Sequence, residues 1–274
     1  MSDAQLRALI PNIITAVKGE TPFFDRLAPF IELAEDWVRN TFTSEQTFNT
    51  IAGYSESNST KLLTARLVVA DALRRAIPSL DIVLTPNGFG VVSTTTIAAA
   101  SKPRVDRLVG SMLTHRDECI AALLPALVSA SQWTSSKQSE FFGATLFPNL
   151  DIVDAVGGAT GSKWDKYLEL RPQVIDLENS LAEEWFSPEL MKVLRNRNLL
   201  LTLSATDRYV VGAIQAQIIS FIKNGSFNAR RLADIVTFIR NRPDDFPEWH
   251  NSATAELFAP PTFRNNKNAA GYFF

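Results

Sequence analysis

Residues 27–51, LAPFIELAEDWVRNTFTSEQTFNTI, and residues 170–194, LRPQVIDLENSLAEEWFSPELMKVL, decide how this chain is built. At a constant offset in numbering, 170 − 27 = 143, Leu27 and Pro29 fall on Leu170 and Pro172, Ile31 on Val174, and Glu35 on Glu178. Further along, Val38 falls on Leu181, Phe42 on Trp185, Ser44 on Ser187, Phe48 on Met191 and Ile51 on Leu194. In the first stretch Leu27, Phe30, Leu33, Ala34, Trp37 and Val38 recur three and four apart, the spacing of one helix face. A serine then opens a second, shorter helix, since its hydroxyl can accept the free N–H groups of a first turn.

The same offset carries into the next helix, where Leu67 and Val68 meet Val210 and Val211. Beyond it the offset falls to 127 (231 − 104): Arg104-Val105 lies on Arg231-Leu232, Leu108-Val109 on Ile235-Val236, Met112 on Ile239, and Asp117-Glu118 on Asp244-Asp245. The drop in offset, 143 − 127 = 16, corresponds to an insertion in the first copy. Any two amphipathic helices align passably, because all share the same apolar spacing. Three helices in one order, with a common Leu-x-Pro and a serine-initiated short helix, point instead to duplication.

Working outward, Ser2-Asp3 can cap a first helix with Leu6, Leu9, Ile10, Ile13, Ile14 and Val17 on one face. Leu62 to Ile77 reads as helix, with Pro78 as its stop. The period then changes: Asp81 to Thr85 and Phe89 to Thr94 flank Pro86-Asn87-Gly88, and Asn-Gly between β-branched runs predicts a hairpin over 81–95. Ser101-Lys102-Pro103 opens a long helix, with Val105, Leu108, Val109, Met112, Ile120, Leu123 and Leu124 as its buried stripe. Further helices are expected at 163–186, 188–196, 204–223 and 228–241. The expected fold is mainly α: a first helical module with a β-hairpin insertion (1–135), a Gly/Ser/Thr-rich joint (136–161), a second helical module (162–245) and a C-terminal arm (246–274).

The 274 residues carry 46% hydrophobic and 20% charged side chains, a globular composition rather than a disordered one. A formal net charge of −2 leaves no electrostatic footprint for nucleic acid or anionic membrane. No apolar run approaches the roughly 20 residues of a membrane span, and the first residues lack the basic and apolar regions of a signal peptide. A single cysteine, Cys119, excludes an intramolecular disulfide and any Cys-cluster zinc site. A soluble protein made in the cytoplasm is expected.

Catalytic signals are sparse. Gly157-Gly158-Ala159-Thr160-Gly161-Ser162-Lys163 imitates a phosphate loop, but Walker geometry needs the hydroxyl after the lysine and a different glycine spacing. A flexible loop between modules is the expectation. His115 and Cys119 stand four apart on one predicted helix, yet two ligands make no metal site. His250 is read as an exposed loop histidine, and Glu32/Glu35/Asp36 and Glu183/Glu184 as solvated helix faces. No Gly-x-Ser-x-Gly or Gly-x-Gly-x-x-Gly motif occurs. No enzyme, cofactor or metal is expected, and no catalytic residue is named.

Two features call for a protein partner. One is Phe89 at the hairpin tip, in an insertion that the second copy lacks; the bland alternative is a hairpin packed on its own module. The other is Phe263 with Arg264-Asn265-Asn266-Lys267-Asn268 and then Gly271-Tyr272-Phe273-Phe274. Aromatic anchors beyond a polar spacer suit a docking peptide, although such a tail can also fold back on its own core. The candidate partner-binding residues are therefore Phe89, Phe263, Tyr272, Phe273 and Phe274.

Leu73-Arg74-Arg75-Ala76-Ile77-Pro78-Ser79-Leu80-Asp81, Leu84-Thr85-Pro86-Asn87-Gly88-Phe89-Gly90-Val91-Val92 and Ala99-Ala100-Ser101-Lys102-Pro103-Arg104-Val105 carry a resemblance. They resemble an uncharacterised family encoded in phages and prophages of gut bacteria, among head and tail genes. The helix order of Leu27 to Ile51 and of Leu170 to Leu194 is in turn similar to the small helical head–tail connector (adaptor) proteins of tailed phages. Connectors of that type are usually a single module of about half this length, whereas two are expected here, one with a hairpin. The resemblance implies a structural virion protein, made in the bacterial host cytoplasm. It would form an oligomeric ring against the portal, as a homo-oligomer touching portal and tail or neck proteins. Its C-terminal arm would dock on a neighbour, with neither membrane contact nor sequence-specific nucleic-acid binding. The alternative is a cellular helical module that binds a protein or peptide.

Overall fold

A computed structural model describes residues 23–80, 82–85, 88–91 and 101–259. Thirteen α-helices occur among them: α1 (Phe23–Val38), α2 (Glu45–Ala52), α3 (Ser59–Leu80), α4 (Lys102–Leu127), α5 (Ser131–Thr134), α6 (Lys137–Gly143), α7 (Asp151–Ala155), α8 (Lys163–Leu181), α9 (Pro188–Leu199), α10 (Ala205–Asn224), α11 (Ala229–Arg240), α12 (Pro247–His250) and α13 (Ala253–Leu257). The strands among the described residues are β1 (Ile82–Thr85) and β2 (Gly88–Val91), antiparallel, with Leu84 opposite Phe89. The intervening Pro86 and Asn87, Asp81, and residues 92–95 of the expected insertion lie outside the described residues, as does the expected first helix.

The two stretches that open the sequence reading have the same local structure. Helix α1 passes into a π-turn at Arg39–Thr43 and α8 into one at Ala182–Phe186, so the first offset holds here too. The stretch expected as one helix over 163–186 thus changes its winding at Ala182. Each π-turn ends on a serine with positive φ: Ser44 at 72° and Ser187 at 65°. Each hydroxyl accepts the N–H three residues on, Ser44 from Thr47 and Ser187 from Leu190, which starts α2 and α9. A π-turn shifts each hydrogen bond by one residue and leaves carbonyls near its end without a helical partner. These carbonyls are reached from a distance. The Trp133 indole N–H donates to Phe42 O at 2.6 Å, and the Trp249 indole to Trp185 O at 3.0 Å. Gln138 donates to Asn40 O and Thr254 to Glu183 O. Ring contacts repeat as well, Phe42 with Phe142 and Trp185 with Phe258.

These pairs fix the later register at an offset of 116 (249 − 133) rather than 127. Under it the buried Arg116, Cys119, Ile120 and Leu123 of α4 meet the buried Leu232, Ile235, Val236 and Ile239 of α11. The expected pairing of Leu108 with Ile235 fails, since Leu108 is 48% exposed while Ile235 is buried. The two offsets differ by close to three helical turns, so both registers keep apolar residues on one face and periodicity alone cannot separate them.

Several boundaries move accordingly. Pro78 lies inside α3, which runs on to Leu80. So near a C-terminus the ring forfeits one hydrogen bond of the last turn and does not end the helix. Residues 137–143, expected in the joint, form α6 and pack on the first π-turn. Residues 247–257, expected in the arm, form α12 and α13 on and beside the second, with Phe246 and Trp249 buried. One hydrophobic cluster runs from Leu27 to Trp249 and takes in both halves. Across it Gly143 lies against Leu199, where an added Cβ would meet the leucine at 2.8 Å.

Candidate functional site

Phe89 stands in β2, and Phe263, Tyr272, Phe273 and Phe274 lie outside the described residues. The other candidates resolve into structural roles. Cys119 Sγ lies 3.9 Å from His115 Nε2, and burial pushes the thiol up to about 11, which keeps it protonated and unreactive near neutrality. His250 is half-buried in α12 rather than exposed on a loop; its Nε2 faces Ile239 O at 3.3 Å and its ring meets Trp249 edge-on. Among the described residues no group of three His, Cys, Asp or Glu side chains is placed to hold a metal ion. No helix among them is long and apolar enough to cross a membrane.

The pseudo-phosphate loop is a joint. Ser162 caps α8 through Asp165 N, and Lys163 Nζ pairs with Asp154 at 2.7 Å, which closes the glycine loop on α7. Gly157, Gly158 and Gly161 all have positive φ, a conformation that residues with a Cβ resist. Charges from α3 and α4 meet this helix start. Asp71, fully buried, accepts from Arg74 and Arg75, with Arg116 at 3.7 Å. Arg116 also donates to Asp117 and Ser162 Oγ, while Asp117 accepts the Lys163 N–H. A carboxylate at a helix N-terminus is favoured by the orphan N–H groups and by the helix dipole. A second buried carboxylate, Glu178, accepts from Leu146 N and Arg195 Nε; its burial pushes the carboxyl up, against the pull of Arg195. Asn198 and Gln215 both donate to Leu146 O, so the connecting segment is bound to the second half at this residue.

Beside the two π-turns a pair of corresponding places faces solvent. Beside the first π-turn an open groove of about 470 Å³ is lined by Trp37, Lys137 and Phe141 of the first half and by Trp164 and Leu168 of the second. Arg171 stacks over Phe141 at 3.8 Å and supports its wall. In the second half the equivalent of Phe141 is Leu257, 72% exposed, and the equivalents of Asn40 and Thr41 are Glu183 and Glu184. None of these groove or rim residues was singled out from the sequence as partner-binding. The offset of 116 (249 − 133) would have exposed them, because it aligns an aromatic wall with an outward leucine.

Residues 13–143 match a family described as a family of unknown function (DUF6712). The matched stretch ends at Gly143, the last residue of α6. No curated protein and no solved structure matches the chain.

Proposed function

We propose that this chain is a structural assembly protein built from two copies of one helical unit, residues 23–143 and 163–258, and that it serves as a head–tail connector of a tailed phage. One observation carries the reading: the π-turn, its left-handed serine and its long-range tryptophan clamp occur twice at fixed offsets. Repeated helical units supply rigid surfaces for neighbours rather than a cleft for chemistry. The resemblance, mainly over residues 60–110, to a family encoded among phage head and tail genes, and the connector-like helix order of both copies, support that role for the assembly. In this reading the chain forms an oligomeric ring against the portal and contacts tail or neck proteins.

Deletion of the gene from its phage tests the reading. DNA-filled heads and separate tails that fail to join are the expected products. Normal particles, together with recovery of a host protein on the purified chain, would replace it with the cellular binding module.

A further inference from the structure

We propose that successive copies of this chain associate head to tail: the acid-rimmed Leu257 of one copy enters the groove beside Lys137 of the next. The inference rests on the assembly reading above and names the surface it would use.

The two faces lie beside the two π-turns, and Phe141 of the one corresponds to Leu257 of the other, but they differ in kind. The first is concave and apolar, walled by Trp37, Phe141 and the buried Trp164, with Leu168 40% exposed at its edge. Lys137, exposed on its lip, has no ion-pair partner among the described residues. The second presents a single outward leucine, 72% exposed. Leu257 stands at the end of α13, which packs on the second π-turn. Glu256 adjoins it in sequence, and that π-turn carries Glu183 and Glu184. All three carboxylates are exposed and in no ion pair among the described residues.

An exposed leucine with a negative rim (the knob) and an apolar groove with a cationic lip match in polarity and in charge. Burying a leucine that is nearly three-quarters exposed removes apolar surface from water, and the flanking charges set register and exclude the like-charged alternative. Two knobs facing each other would oppose six carboxylates, three from each copy, which disfavours a twofold dimer through this face. Because every copy carries one knob and one groove, the contact is heterologous and propagates from copy to copy, closing into a ring where the rotation between copies allows it.

Sedimentation velocity on the full chain tests this with Lys137→Glu, with Glu183→Lys/Glu184→Lys, and with all three changes combined. The substituted side chains are exposed, and circular dichroism checks that the helices persist. Each partial variant is expected to self-associate at least roughly tenfold more weakly than wild type, and the combined charge swap to recover association. Variants that assemble like wild type would overturn this interface and leave the assembly reading standing. Loss without recovery in the combined variant would overturn the pairing of these residues. A wild-type chain that stays monomeric alone and beside its portal would overturn both.

Discussion

Ser44 and Ser187 hold φ values of 72° and 65° with ψ of 160° and 144°, a region that side chains with a Cβ avoid at a cost of about 1–3 kcal/mol. Each is retained because its hydroxyl caps the next helix where the chain leaves a π-turn. Replacement by alanine keeps the strain and loses the cap, about 1 kcal/mol. Glycine also loses the cap but relieves the strain. Ser187→Gly is therefore expected to be more stable than Ser187→Ala in urea unfolding, by about 1–3 kcal/mol. The reverse order would refute the strain. Tyr167 supplies a pH test. Its hydroxyl donates to Phe147 O, and burial pushes it from 10.0 up to about 12. Its folded value lies above its unfolded one, so its contribution to stability is complete below pH 10 and is lost as pH rises toward 12. Between pH 8 and 11 the wild type is expected to lose about 1–1.5 kcal/mol more than Tyr167→Phe. At neutral pH the variant is expected to be mild, because Phe147 O also accepts from Thr145. Equal losses in the two proteins would contradict this. At this scale the sequence showed the serines as caps but not their strain, because positive φ follows from the π-turn and a π-turn has no spacing signature.

At the scale of elements, the indole of Trp133 and that of Trp249 each tie a short helix near the end of one half to the π-turn near its start. Replacing either with phenylalanine preserves most of the apolar volume and leaves a buried carbonyl without its donor, a cost of about 1–3 kcal/mol. Trp133→Phe and Trp249→Phe are each expected to show that loss in denaturant unfolding. An effect under about 0.5 kcal/mol in both would mean that the clamp does not hold these elements. Helices α1, α2, α8, α9, α10 and α11 were legible from apolar period and serine caps. Short α12 and α13 were not, since helices of barely one turn offer no period and their order comes from packing on the π-turn. The pairing of α4 with α11 was misread for a related reason. A helical repeat looks alike after three turns, and only burial distinguishes Arg116 opposite Leu232 from Val105 opposite Leu232.

Across the whole molecule, the apolar cluster and the charges at the joint make the two halves one body with two diverged outer faces. The duplication was legible in the sequence because Leu-x-Pro and the serine survive in both copies. The groove and the knob were not, because they are differences between copies, visible only once the second register is known. Light scattering with negative-stain microscopy, on the purified chain alone and mixed with its portal, measures the central claim most directly. Closed rings of several copies that bind the portal are the predicted result; a strict monomer that ignores the portal would contradict it.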